Sequence, residues 1–372
     1  MSSLRIALLC PNELGPAREL GVQLAARGHR PRLITTHRGL PQTSYEAGLV
    51  VTRNWHTREA RLERRGFERH LGQVPSSYLS LLRGTAQLAH AFHAPDALAA
   101  ARWAHGRDRP VVLSLPEVPS RSWLVARRLR LESVLHALRG GQTVVTESRF
   151  AADALVTSLG CVSQVIYPGV DLEHFAPGAQ RSATPTILCF GLTAKASRSL
   201  GAAIAQMRTG VRLILGPADD PGGRAATGSA PAAKLEVAAF RGAWLTVLLS
   251  RHGAFPLALV ESLACGTPVL AWNGGANPEV INRPEVGLLT RAEDPPELGR
   301  AILTALELIE DPQTTQLCRS HAEEFSITRH VDAHESLYAE LLDRRSGADD
   351  PPLPCSYVPY PKRGQSVKRV HD

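Results

Sequence analysis

Residues 255–270, FPLALVESLACGTPVL, decide the fold of this chain. A helix-like apolar run carries one acid, Glu261, and breaks at Cys265-Gly266 before a β-like run. Phe255-Pro256 suits a helix start, because the missing N–H of proline costs little in the first turn. A carboxylate within such a helix can accept hydrogen bonds from a sugar diol, and the helix N-terminus favours phosphate. The stretch therefore indicates a strand–helix–strand unit that can bind a sugar or a phosphate.

Similar strand-like runs alternate with helix-like runs along most of the chain. A first set is interrupted by the Pro/Gly-rich stretch 167–186, after which a second set begins. This alternation predicts α/β architecture: two doubly wound Rossmann-like domains facing a central cleft. The predicted strands are 4–10, 31–36, 48–53, 109–115 and 143–148 in the first set, and 186–191, 211–216, 245–250 and 267–272 in the second.

The same pattern predicts the domain limits. Residues 1–171 form an N-terminal domain, and 185–325 form a C-terminal one. Between them, 172–184 is a linker; residues 326–344 are a C-terminal helix that can pack back on the N-terminal domain. Prolines and charges in 345–372 predict a disordered basic tail, and the Gly/Ala/Pro-rich segment 217–234 predicts a flexible loop.

Composition bounds the function. The 372 residues are 44% hydrophobic, which suffices for two cores. A net charge of +7 suits anionic partners, but the few aromatics do not interleave with basic residues, so nucleic acid is not an expected partner. The six cysteines form no C-x-x-C pair, and no apolar run is long enough to span a membrane. We expect reduced thiols in a cytoplasmic protein.

One segment leaves a membrane role open. Residues 123–140 read as a single basic amphipathic helix, with leucines on one stripe and arginines largely elsewhere. Such a helix can lie on anionic lipid, which would place the protein peripherally at the inner face of the membrane. The favoured interpretation is a domain helix with its apolar face turned inward and its arginines in water.

Four stretches together resemble the family-4 retaining glycosyltransferases, whose fold is the two-Rossmann-domain glycosyltransferase B type. ESLACGTPVL and GGANPEVI are similar to that family's second acid with its Cys-Gly-x-Pro-Val sequence and to its Gly-Gly-x-Pro-Glu loop. LGPARELGVQLAARGHRPRLITT looks like the family's opening glycine loop and helix, and VIYPGVDLEHFAPG like its inter-domain segment. The resemblance extends over most of residues 1–343.

The resemblance implies transfer of a sugar from a nucleotide-sugar donor with retention at the anomeric carbon. The donor would lie mainly against the C-terminal domain, and an unknown acceptor, lipid-linked or a small molecule, against the N-terminal domain. Cations and backbone amides would stabilise the leaving diphosphate, with no cofactor and no obligatory metal. The resemblance makes Glu261 the ribose ligand. The other donor-binding positions it implies are Gly15, Gly191, Phe255, Leu257, Gly274 and Gly275.

The sequence departs from the family pattern at several positions. Gly253 stands where the first acid is expected. Pro256 replaces a glycine whose N–H would donate a hydrogen bond, and proline has no N–H. The diphosphate-binding arginine and lysine align with Leu192 and Ser197, so the neighbouring Lys195 and Arg198 are the predicted catalytic cations. Other candidates are Arg121, Arg149, His90 and His93; the histidine common after the strand 109–115 is Pro116 here.

These departures keep a second hypothesis open: a catalytically degenerate member that binds a nucleotide, a sugar or a protein partner. Glu279, in the glycine loop, either contacts ligand or braces the loop. A nicotinamide oxidoreductase is a distant alternative, because no G-x-G-x-x-G follows the first strand.

Overall fold

The structure is a computed structural model that describes residues 3–37, 39–55, 71–105, 107, 109–127, 129–139, 142–178, 180–207, 210–216 and 237–346. The strands are β1 (Arg5–Leu9), β2 (Arg30–His37), β3 (Gln42–Glu46), β4 (Leu49–Trp55), β5 (Leu88–Ala91), β6 (Val111–Leu115), β7 (Thr143–Thr146), β8 (Gln164–Val165), β9 (Thr186–Phe190), β10 (Arg212–Leu215), β11 (Leu245–Leu248), β12 (Val269–Trp272) and β13 (Gly287–Thr290).

The helices in the described residues are α1 (Pro16–Ala26), α2 (Val74–Leu82), α3 (Ala94–Ala104), α4 (Arg121–Val125), α5 (Arg130–Arg139), α6 (Arg149–Leu159), α7 (Ala194–Gln206), α8 (Val237–Gly242), α9 (Leu257–Ala264), α10 (Asn277–Val280), α11 (Pro295–Glu307), α12 (Thr314–Ala322) and α13 (Ile327–Ser346). Short 3₁₀ turns precede α2 and flank α12.

The first sheet has the order β3-β4-β2-β1-β5-β6-β7-β8 and is parallel except at its edge, where β3 pairs antiparallel with β4. Its central strands, such as β5 and β6, are buried on both faces, as expected of parallel strands covered by helices on both sides. In β6, for example, Val111 and Leu113 enter one core while Val112 enters the core on the other face.

The second sheet has the order β10-β9-β11-β12-β13 and is parallel throughout. Successive residues of one strand again pack in two different cores. In β11, Val247 packs on one face of the sheet and Leu248 on the other. Side chains at the helix starts fix where the chain turns: Thr193 caps α7 and Asp294 caps α11. The predicted α/β class with two doubly wound parallel sheets is therefore confirmed.

The chain crosses between the two sheets at two adjacent places. Val170 N–H donates to the Phe325 carbonyl at 2.9 Å, and Ile327 N–H donates to the Val170 carbonyl at 2.9 Å. The approach is so close that a Cβ atom at Gly169 would lie 2.5 Å from the Cα of Ile327. After the second crossing, α13 packs on the first sheet, where Val331, Leu337 and Tyr338 are buried in its core.

Several details of the sequence prediction were wrong or are not covered. Residues 123–140 do not form one helix, because the chain leaves helical geometry between α4 and α5. The polar edge strand β3, the two-residue strand β8 and the short strands β5 and β13 were missed, since so few residues give little periodicity. Cys10, Cys189, Cys265 and Cys318 are buried free thiols as expected, whereas Cys161 is disulfide-bonded. The predicted loop 217–234 and residues 347–372 of the predicted tail lie outside the described residues.

Candidate functional site

Glu279 joins the two sheets at their carboxyl ends. Its Oε2 accepts hydrogen bonds from Arg149 N–H and from the Tyr167 hydroxyl, both at 2.9 Å, and its Oε1 accepts one from Phe150 N–H at 2.8 Å. Helix α6 follows the carboxyl end of β7, and α10, which carries Glu279, follows that of β12. The carboxyl edges of the two sheets therefore face each other, which is where open α/β sheets bind ligands.

The same contact completes the cap of α6 from the opposite domain. The first N–H groups of a helix have no partner within it. Glu279 satisfies those of residues 149 and 150, and Ser148 Oγ accepts from Ala151 N–H at 3.0 Å. Burial and then the bond to Glu279 raise the pKa of Tyr167 to about 12, so its hydroxyl stays protonated and donates. Glu279 is thus a brace between the domains.

The glycine loop after β12 lies directly on the loop after β11. A Cβ atom at Gly275, whose φ is +60°, would sit 3.2 Å from the carbonyl oxygens of Arg251 and Gly253, and one at Gly274 would sit 3.1 Å from the Trp272 ring. Asn277 Nδ2 donates to the Ser250 and Trp272 carbonyls at 3.1 and 2.9 Å. Position 275 favours glycine, because its backbone is left-handed and a Cβ atom would press on two carbonyl oxygens.

Glu261 lies on the one stripe of α9 that is not fully buried. Leu257, Ala258 and Glu261 are half-buried, while Leu259, Val260 and Leu263 on the other faces are buried in the core. The helix follows β11, so this stripe belongs to the carboxyl edge of the second sheet. Glu261 is therefore partly exposed, unlike the neighbours on the other faces of α9.

The side chains of Phe255 and Leu257 pack on the apolar core. The Phe255 ring is buried against Tyr167 and Phe325, with ring centroids 5.6 and 5.7 Å away, so its side chain belongs to the core beneath the domain crossing. Pro256 is the N-cap of α9 and Leu257 its first residue, and Leu257 also packs on this core. The part of this segment left to contact a nucleotide-sugar donor is the backbone at the start of α9.

Gly191 and the predicted cations surround the end of β9. Gly191 has φ +65°, a left-handed conformation that suits glycine, and turns the chain from β9 into α7. Leu192 packs on the apolar core and Ser197 is exposed, so neither supplies a charge. Lys195 Nζ pairs with Glu293 at 3.0 Å, whereas Arg198 Nε donates back to the Ala194 carbonyl of its own helix at 3.2 Å. Lys195 is thus paired with a carboxylate, and Arg198 lies about one turn further along α7.

Gly15 lies on the opposite sheet, at the start of α1. It is the N-cap residue, with extended backbone, and its carbonyl accepts from Arg18 N–H at 3.0 Å. A shallow depression of about 250 Å³ next to it is lined by Leu14, Arg18 and neighbouring residues of α1. The structure thus brings six of the predicted donor-binding residues and Lys195 to one sheet edge, and Gly15 to the facing one; their roles remain predictions.

Two carboxyl groups at the carboxyl edge of the first sheet were missed. Glu147 directly follows β7, and its Oε2 is inaccessible to water and has no hydrogen-bond partner among the described residues. Burial, with a smaller contribution from Glu117, raises the pKa of Glu147 to about 8, so this carboxyl is largely protonated at neutral pH. Glu117 follows β6 and accepts from the Trp123 indole. The sequence signal was an acid within two residues of the end of β6 and of β7.

The two candidate histidines, His90 and His93, lie in different surroundings. His90 is buried in β5, with Nδ1 2.7 Å from the Tyr338 hydroxyl and Nε2 2.7 Å from Ser114 Oγ. It is a core residue beneath α13. His93 precedes α3, where it lies near the buried carboxyl of Asp96. Among the described residues, no group of three or more His, Cys, Asp or Glu side chains has the geometry of a metal site.

Helices α4 and α5 turn their apolar faces inward. Leu124 and Leu138 are buried in the core on one face of the first sheet, and Leu131 packs against it. Within the part of the chain that the structure describes, no helix has the length and apolar character needed to cross a bilayer. These residues therefore favour the domain-helix interpretation over a lipid-binding one.

Two family models match the chain. The model described as "Glycosyltransferase Family 4" matches residues 17–174, and the one described as "Glycosyl transferases group 1" matches residues 230–323. Together they cover most of both sheets, with the second spanning α9 and the glycine loop.

Curated relatives match over part of their length. A D-inositol 3-phosphate glycosyltransferase of Corynebacterium jeikeium (strain K411) is 34% identical over 107 residues, 28% of this chain and 25% of that protein. The N-acetyl-alpha-D-glucosaminyl L-malate synthase of Bacillus anthracis is 29% identical over 109 residues, 28% of each. A D-inositol 3-phosphate glycosyltransferase of Streptomyces bingchenggensis (strain BCW-1) is 26% identical over 245 residues, 54% of this chain and 53% of that protein. The matches thus span a quarter to a half of these relatives.

Solved structures match over nearly the whole fold. Sucrose-phosphate synthase from Thermosynechococcus elongatus gives a TM-score of 0.70 at 19% identity and covers 91% of this chain and 99% of that one. Anabaena Alr3699/HepE in complex with UDP-glucose gives 0.64 at 20% identity, covering 91% and 99%. These likenesses show that the fold is the two-domain glycosyltransferase B type.

Proposed function

We propose that this chain, which belongs to the family-4 glycosyltransferases, transfers a sugar from a nucleotide-sugar donor to a hydroxyl acceptor with retention of anomeric configuration. The observation that carries the proposal is the position of Glu261 on the half-buried stripe of α9. It lies at the same sheet edge as Gly191 and the Gly274-Gly275 loop, opposite the first sheet. That edge would hold the donor, with the Glu261 carboxylate accepting hydrogen bonds from the ribose hydroxyls.

The acceptor would lie against the first sheet, next to Glu147 and Glu117. Retention would follow from front-face displacement, in which the leaving diphosphate oxygen takes the proton of the acceptor hydroxyl. The same proposal needs no cofactor and no metal, and places the protein in the cytoplasm without nucleic-acid partners.

We expect Glu261→Gln to lower kcat/KM for the nucleotide sugar about 10- to 100-fold. The substitution replaces charge-assisted hydrogen bonds, worth about 1.5–3 kcal/mol, by weaker neutral ones. The measurement is release of nucleoside diphosphate from a panel of UDP-, GDP- and ADP-sugars, with inositol 3-phosphate and L-malate as first acceptors because of the relatives' names. Glu307→Gln, which removes an exposed carboxylate at the end of α11, is the matched control. Equal turnover by both variants would contradict the role of Glu261.

The degenerate alternative predicts binding without turnover, and Gly253 tests it. A Cβ atom at Gly253 has no neighbour within 4 Å, and its φ lies outside the left-handed region, so a larger side chain fits. We expect Gly253→Glu to raise turnover about 10-fold, because it returns an acid to the position where the family contacts the transferred sugar. Gly253→Gln controls for bulk. A wild-type protein that binds a nucleotide sugar but turns over none, with Gly253→Glu equally inactive, would favour the binding protein.

A further inference from the structure

Three charged side chains link the ends of three strands at the carboxyl edge of the second sheet. Glu293, in the loop after β13, pairs through Oε1 with Arg251 Nη2 at 2.7 Å and through Oε2 with Lys195 Nζ at 3.0 Å. Arg251 lies in the loop after β11, and Lys195 lies in the first turn of α7. The two cations thus share one carboxylate.

Arg251 is held in place by a second contact. Its Cζ lies 3.8 Å from the ring centroid of Trp272, the last residue of β12, in a cation–π arrangement. Its carbonyl oxygen is the atom that a side chain at Gly275 or Gly274 would meet, at 3.2 and 3.4 Å. The guanidinium is therefore fixed beside the loop in which glycines allow close approach of a ligand.

The cluster of Arg251, Lys195 and Glu293 supplies positive charge at this edge. The positions that align with the family's diphosphate-binding arginine and lysine supply none. Leu192 is turned into the apolar core, Ser197 is neutral, and Arg198 bonds to its own helix. Two cations and one carboxylate leave a net charge of +1 at the sheet edge. The side chains of Arg251 and Glu293 are 44% and 50% exposed, and exposed ion pairs are weak because water screens them. An incoming anion with more charge than a carboxylate can therefore exchange for Glu293.

We propose that Arg251, oriented by Trp272, binds the diphosphate of the nucleotide donor, and that Glu293 occupies Arg251 and Lys195 until the donor arrives. The inference rests on the proposed function, since it assigns the diphosphate of that same donor. The fork of the guanidinium matches two phosphate oxygens, and its charge offsets the charge that develops on the leaving group. Arg251 would thus take the place of the arginine that Leu192 replaces.

The test compares a nucleoside, its monophosphate and its diphosphate by calorimetric titration at low salt. The series uses whichever of UDP, GDP and ADP the wild-type protein binds. Arg251→Gln is expected to weaken the diphosphate about 10- to 100-fold and to leave the nucleoside unchanged, because charge-assisted bonds to phosphate are lost. Glu293→Gln is expected to tighten the diphosphate about 3- to 10-fold, because the competing carboxylate is gone.

Arg283→Gln is the matched control. It breaks an exposed ion pair of the same length, Arg283 Nη2 to Glu324 Oε1 at 2.7 Å, at another place on the same domain. It should leave all three affinities unchanged, and equal melting temperatures of the variants show that folding is intact.

The outcomes separate this inference from the proposed function. Diphosphate binding by the wild type that Arg251→Gln does not weaken overturns the inference and leaves the function standing. An equal loss for nucleoside and diphosphate also overturns it, since Arg251 would then bind another part of the nucleotide. Weaker diphosphate binding by Glu293→Gln would show that Glu293 does not compete with the diphosphate for Arg251 and Lys195. A wild-type protein that binds none of the three diphosphates contradicts the proposed function itself.

Discussion

Tyr338→Ala is expected to lower the free energy of unfolding by about 3–5 kcal/mol, the usual cost of truncating a buried aromatic residue. Tyr338 is fully buried in α13, in the core that this helix shares with the first sheet. Its hydroxyl also lies 2.7 Å from His90 Nδ1. The substitution therefore leaves a cavity and an unpaired nitrogen at the contact that fastens the last described helix to the N-terminal domain.

Urea unfolding followed by circular dichroism measures this loss. Tyr338→Phe separates the two contributions, because it keeps the ring and removes the hydroxyl; we expect it to cost about 1–3 kcal/mol. Limited proteolysis after Leu341 or Leu342 reports whether α13 has come off the sheet. A loss below about 1 kcal/mol for Tyr338→Ala would mean that the helix contributes little to the first core.

Acid is expected to destabilise the native protein below about pH 6.5 through three histidines near this contact. Burial lowers the pKa of His90, His330 and His334, with that of His334 falling to about 3. Each lowered pKa means that the unfolded chain takes up a proton below pH 6.5 that the native state does not. The stability they contribute is present above pH 6.5 and falls by up to about 1.4 kcal/mol per pH unit for each histidine.

Other groups beside these elements titrate in the opposite sense. Burial raises the pKa of Glu147 to about 8 and that of Asp96 to about 6, so the native state gains protons there and becomes more stable as the pH falls. Comparing a histidine variant with the wild type cancels these contributions, because both proteins contain Glu147 and Asp96. His334→Asn keeps a donor for the His330 carbonyl, which His334 Nδ1 contacts at 2.9 Å. We expect it to flatten the loss between pH 6.5 and 4.5 by about 1.4 kcal/mol per pH unit; unchanged slopes in urea unfolding would contradict the assignment.

The fold was largely predictable because it depends on patterns that lie close together in sequence. Buried strands such as β9 and β11 are apolar runs that are followed by helix starts. Their spacing along the chain indicates strand–helix–strand units with parallel strands. Phe255–Pro268 revealed its helix and its turn for the same reason. Where the pattern is short or broken, as in β5 or between α4 and α5, the prediction failed, because a few residues carry little periodicity.

The site was less predictable, since its contacts join residues far apart in the chain. Glu279 meets α6 across 130 positions, and Arg251 meets Glu293 across 42. No local pattern shows such a pair. The glycine loop and Glu261 could be found because their neighbours in sequence are also their neighbours in space. The ring contacts of Phe255 with Tyr167 and Phe325 likewise join residues far apart in the chain and could not be predicted from its neighbours in sequence.

The return of α13 to the first sheet has a consequence for synthesis on the ribosome. About 160 codons separate the end of β8 at residue 165 from the start of α13 at residue 327. At about 5–20 residues per second, the emerging N-terminal half waits roughly 8–30 seconds with that apolar face uncovered. A nonsense mutation just before codon 327 would thus injure the half of the protein that was translated first.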